Sequence, residues 1–218
     1  MWQSLVGVFH SVLAGLYGLT GNYGLAIILI TVLIRLILWP FTQAQINNMR
    51  RMQQLQPEIQ KIQKKYKGDQ QKINEETMKL LRERNANPAY GCLPVLIQLP
   101  VLWALFDVLR TFQFKGAHFL WVPDLHSPDP YYVLPVLAGA LTFVQSKMTT
   151  PQLGDSATAS TQRTMLYLMP LLIVWVTLRL PSGLALYWVT SSVFAVLQQW
   201  VAMRGDAPQP PQPQQGKA

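Results

Sequence analysis

Few side chains in this 218-residue chain are placed to do chemistry, and the one that stands out is a charge. Arg35 lies between Tyr23 and Phe41, in the run GLAIILITVLIRLILWPF, where its near neighbours are apolar. A guanidinium near the centre of a bilayer costs on the order of 3 kcal/mol, so it usually faces water or a partner inside the protein. Thr31 and Thr42 stand four before and seven after it on the same helical face, which gives this helix one polar stripe. Snorkelling toward the nearer surface is the bland use of such an arginine. Against it, Ile37, Leu38 and Trp39 keep Arg35 roughly 10 Å or more inside the helix end near Thr42, at 1.5 Å rise per residue. A wet cavity beside Arg35 is the expectation.

Covalent and metal chemistry find little support. Ser182, Ser191 and Ser192 are candidate nucleophiles, but no histidine falls in any expected span to act as their base. His10, His118 and His126 have no acid or cysteine at metal-ligand spacing, and the single cysteine, Cys92, excludes an intramolecular disulfide. No glycine loop of phosphate-binding type occurs. No catalytic, cofactor-binding or metal-ligating residue is expected, and the chain reads as a non-enzyme. A small channel or transporter is an alternative, although no internal repeat supports it.

The elements that must position Arg35 follow from composition. Half the residues are hydrophobic and 13% are charged, yet the formal charge is +8, so the charges are sorted into few places. An all-α membrane protein with five spans of about 20 residues each is expected. The spans fall at 23–42, 91–112, 131–148, 164–180 and 183–203. Residues 1–22 place Trp2, Leu5, Val6, Phe9, Leu13, Leu16 and Tyr17 on one helical face, as an amphipathic helix lying in the outer interface would. Residues 43–87 hold ten of the eighteen basic residues against five acids, which marks them as cytoplasmic. Their apolar period, broken at Lys67-Gly68-Asp69, predicts a basic helical hairpin, with a kink or a fresh helix start at Pro57. Such a surface suits anionic lipid headgroups, ribosomal RNA or a protein. Pro94 and Pro100 should both interrupt the second span. Residues 113–130 form an outer loop, 149–163 an inner one, and 204–218 a disordered cytoplasmic tail, which leaves the N-terminus outside.

Four stretches in the same order resemble the YidC/Oxa1/Alb3 family of membrane protein insertases: GLAIILITVLIRLILWPF, MQQLQPEIQKIQKKYKGDQQKINEETMKL, GCLPVLIQLPVLWALF and PSGLALYWVTSSVFAVLQQ. The likeness is to a short bacterial member, without the large extracytoplasmic domain of some relatives. It implies a five-helix bundle in the plasma membrane, with a polar groove open to cytoplasm and lipid. The family's groove arginine corresponds to Arg35, and its glutamine between two prolines to Gln98; Gln145 and Trp188 are further candidates for the groove wall. The implied function is insertion of hydrophobic protein segments, with a folding chaperone as the nearby alternative. The implied partners are nascent membrane proteins, the ribosome, the Sec translocase and the lipid bilayer.

Overall fold

The computed structural model describes residues 2–87, 93–111, 118–149 and 157–204, and within them it is all helical apart from one isolated bridge between Phe119 and Val122. Cys92, residues 150–156 of the expected inner loop and the expected tail beyond Arg204 lie outside the described residues. The helices are α1 (Trp2–Thr20), α2 (Tyr23–Ile37), α3 (Trp39–Lys65), α4 (Gln70–Glu83), α5 (Leu93–Thr111), α6 (Val133–Thr149), α7 (Ala157–Thr177) and α8 (Ser182–Arg204).

The amphipathic stripe of α1 is spent on protein. Leu13 is fully buried, and Val6, Phe9, Leu16 and Tyr17 pack on the same core, because α1 lies against α2 and α5. This apolar face packs against the bundle. A tight corner joins α1 to α2: Gly21 takes φ +64, Tyr17 stacks on Tyr23 at 3.8 Å, and the Asn22 side chain accepts from the Gly24 and Leu25 amides at 2.9 and 3.2 Å. An asparagine in that position satisfies helix-start donors that would otherwise lack partners.

The helix carrying Arg35 stops sooner than its apolar run. It breaks at Leu38, and α3 leaves at 62° to α2. Pro40 accounts for the stop, since it has no N–H to give and its ring crowds the preceding turn, whereas in the first turn of a new helix it is tolerated. Pro57, where a kink or restart was expected, lies inside a helix that runs on to Lys65. Leu55 and Ile59, on either side of it, are buried against Leu81 of α4 in the hairpin's own small core. Pro94 likewise falls in the first turn of α5, which leaves Pro100 as the interior proline. At the other boundary, α7 begins seven residues before the expected fourth span, so Ala157–Arg163 are helix where a loop was expected.

The main core gathers α1, α2, α5, α8 and the 119–125 segment, around Ile27, Leu105, Leu125 and Leu186. On the far side α6 packs between α7 and α8. Gly139 makes that contact close: a Cβ there would overlap Val174 and come within 3.3 Å of the Pro170 carbonyl. Within the described residues, α8 alone is long and apolar enough to cross a membrane by itself, and the bent α2–α3 pair passes together. Shorter apolar helical runs lie at Gln98–Val108, Val133–Thr149 and Thr164–Thr177.

The hairpin is tied to the bundle at its base. Arg50 Nη1 donates to the Ala202 carbonyl at 2.6 Å, and Gln53 Nε2 donates to the Thr149 carbonyl at 2.9 Å. Both acceptors belong to last turns, of α8 and α6, where carbonyls have no partner further along the helix.

Candidate functional site

Arg35 borders a small, partly open cavity of about 10 Å³, walled by α2, α5 and α8. The α2 wall is Thr31, Ile34, Arg35 and Leu38; α5 supplies Gln98 and Val101, and α8 supplies Tyr187 and Ser191. The shape follows from periodicity. Thr31, Arg35 and Leu38 share a face at i, i+4 and i+7, while Tyr187 and Ser191 are one turn apart on α8.

The guanidinium is held by one hydroxyl. Arg35 Nε donates to Ser191 Oγ at 2.9 Å, and Nη2 donates to the same oxygen. No ion pair reaches Arg35 among the described residues. Arginine carries five N–H donors, so a single hydroxyl is a thin shell for it. A charge in this setting is strongly felt by any acceptor that enters, because an ion pair is worth roughly four times as much at a protein surface as in bulk water.

The other polar groups of the pocket are largely accounted for. Gln98 Nε2 donates to the buried Tyr187 hydroxyl at 2.6 Å, which joins α5 to α8 across the pocket. Thr31, 1% exposed, donates to the Ile27 carbonyl at 2.6 Å and presents little free hydroxyl. Thr42 is drawn away to α8, where Gln198 Nε2 donates to its hydroxyl oxygen at 2.7 Å. Of the six residues singled out in the sequence, Arg35, Thr31 and Gln98 come together here. Thr42, Gln145 and Trp188 do not line the pocket. Gln145 sits on α6, which packs on α7 and α8, and Trp188 is turned about 100° from Tyr187 around α8.

Tyr187 and Ser191 were missed as site residues. The signal was present: Tyr187, Ser191 and Gln198 fall on one face at i, i+4 and i+11, and all three are buried. What the spacing could not say is which helix that face meets.

A family model described as 60Kd inner membrane protein matches residues 15–209. A membrane protein insertase YidC from Fusobacterium nucleatum is 47% identical over 188 residues, which is 86% of this chain and 89% of that protein. Another, from Caldanaerobacter subterraneus, is 45% identical over 185 residues, covering 84% of this chain and 86% of its own. A crystal structure of an active YidC insertase, with its first transmembrane domain resolved, superposes with a TM-score of 0.70 at 34% identity. That match covers 94% of this chain and 46% of the crystallised one, so the chain spans just under half of that larger protein.

Proposed function

The chain belongs to the YidC/Oxa1 family, and from that membership we propose that it is a membrane protein insertase of the bacterial plasma membrane. The reading takes five spans: α2 with the start of α3, then α5, α6, α7 and α8. The basic hairpin α3–α4 stands in the cytoplasm by the positive-inside rule, which puts the N-terminus outside and the end of α8 inside. Its cationic surface meets anionic headgroups, and there a segment arriving from the ribosome, alone or alongside the Sec translocase, makes first contact.

The segment then enters a groove open to cytoplasm and lipid. Its acidic or polar translocated end is attracted by Arg35, and the half-buried Gln98 replaces part of its lost hydration. Its apolar helix passes sideways into lipid. The groove shortens the hydrophobic barrier that the polar end must cross, and this involves no bond chemistry. The observation that carries the proposal is the Arg35 guanidinium, set beside a pocket with one serine hydroxyl as its partner and no carboxylate among the described residues.

The test reconstitutes the protein alone in proteoliposomes and follows protease protection of an acidic translocated tail on a single-span substrate. Wild type and Arg35→Lys insert the tail, and Arg35→Ala does not. Equal insertion by all three overturns the role of Arg35, and no insertion by wild type overturns autonomous insertase activity.

A further inference from the structure

The break at Leu38 is bracketed by two polar rungs to α8. Before it, Arg35 donates to Ser191; after it, Thr42 meets Gln198. The members of each rung are 156 residues apart in sequence, and the rungs are separated by seven residues on both sides. The two segments therefore run in the same direction and keep their register across a 62° bend.

The second rung is built around a glutamine that is 2% exposed. An amide buried so completely costs stability unless its groups are bonded. Gln198 Nε2 donates to Thr42 Oγ1 at 2.7 Å and to the Trp39 carbonyl at 3.3 Å, while its Oε1 lies 3.0 Å from the same threonine oxygen. Turning the amide end for end keeps the pair within bonding distance. Both partners lie in the first turn of α3, immediately beyond the break. The Thr42 hydroxyl is in addition within 3.1 Å of the Leu38 carbonyl and 3.0 Å of the Trp39 carbonyl. Gln198 thus grips the first turn of α3 by backbone and side chain together.

We propose that Gln198 is a positioning residue: it fixes the direction in which α3 leaves α2, and through that bend it sets where the Arg35 guanidinium sits against Ser191. Neither Gln198 nor Thr42 lines the Arg35 pocket, so their influence passes through the bend. The coupling to insertion rests on the insertase reading of Arg35, whereas the bend itself can be measured without it.

Spin labels at the exposed positions Leu29 and Gln54, introduced as cysteines with Cys92→Ala, report the distance across the break in reconstituted protein. Wild type and Thr42→Ser, which keeps the hydroxyl, give one narrow distance. In Gln198→Met and Thr42→Val the distribution broadens toward values up to about 5 Å longer, the span gained by straightening helices of 1.5 Å rise per residue. Insertion of the acidic-tailed substrate falls about fivefold to tenfold in the same two variants, as loss of a buried hydrogen-bonding group implies. An unchanged distance in both variants overturns the clamp, and a changed distance with full insertion overturns its link to Arg35. A changed distance in the variants, beside wild-type protein that inserts nothing, keeps the clamp and overturns the insertase reading instead. Thr42→Val leaves Gln198 in place, so the question stays answerable where Gln198→Met fails to fold.

Discussion

The amide of Asn48 closes on the backbone of Asn87 at two points, with Nδ2 donating to the carbonyl at 2.8 Å and Oδ1 accepting from the N–H at 3.2 Å. One side chain on α3 thereby ties the exit of the hairpin, just past α4, to its root. Asn48→Leu removes both bonds and should lower stability by about 1–3 kcal/mol. Denaturant unfolding in detergent measures the loss, and amide exchange at 84–87 should quicken ahead of exchange in α8. Unaltered exchange there would sink the assignment.

Gln98 and Tyr187 join α5 to α8 through one hydrogen bond of 2.6 Å. Tyr187→Phe removes its acceptor and should cost about 1 kcal/mol. A double-mutant cycle with Gln98→Leu isolates the pair, and the expected coupling is about 0.5–1.5 kcal/mol. A coupling indistinguishable from zero would mean that the two side chains act independently.

Two glycines should respond to alanine with opposite signs. At Gly139 a Cβ meets Val174 and the Pro170 carbonyl, so Gly139→Ala should destabilise by about 1–3 kcal/mol through overpacking of α6 on α7. At Gly18 nothing lies within 4 Å, and Gly18→Ala should gain about 0.5–1 kcal/mol of helix propensity. Paired melting curves decide it; equal shifts in the same direction contradict the packing described.

Asp129 is 2% exposed and bonds the start of α6, its carboxylate accepting from the Leu134 amide at 2.7 Å and the Tyr131 amide at 3.1 Å. The Trp121 indole N–H approaches the same carboxylate at 3.5 Å. Asp129→Ala should cost about 1–2 kcal/mol, the loss typical of a helix-start cap. Thermal unfolding reads that loss, and a change in Trp121 emission should accompany it. An unperturbed melting temperature would show that the loop is held by other contacts.

Arg35 was legible in the sequence because a charge inside an apolar run has few stable uses, and its polar stripe with Thr31 follows from spacing alone. Pro40 marked the end of the apolar helix but not its sequel, since nothing local says that a helix resumes at 62° and continues through Pro57. That continuity comes from Leu55 and Ile59 finding Leu81 more than twenty residues away. The site's α8 wall was hidden for the same reason. Tyr187 and Ser191 share a face, but contacts 156 residues apart depend on which helices become neighbours, and no repeat or charge pattern encodes that. Thr42 illustrates the limit: spacing set it on the Arg35 stripe of one continuous helix, but the break at Leu38 carries it onto α3, where Gln198 claims its hydroxyl.

The anchoring of Arg50 and Gln53 on the Ala202 and Thr149 carbonyls makes the base of the hairpin a fulcrum. From Gln53 to Lys65 the helix extends about 18 Å at 1.5 Å per residue, a stiff lever arm. Whatever leans on the basic tip therefore delivers torque to the C-terminal ends of α6 and α8, and α8 is the helix that carries both Ser191 and Gln198.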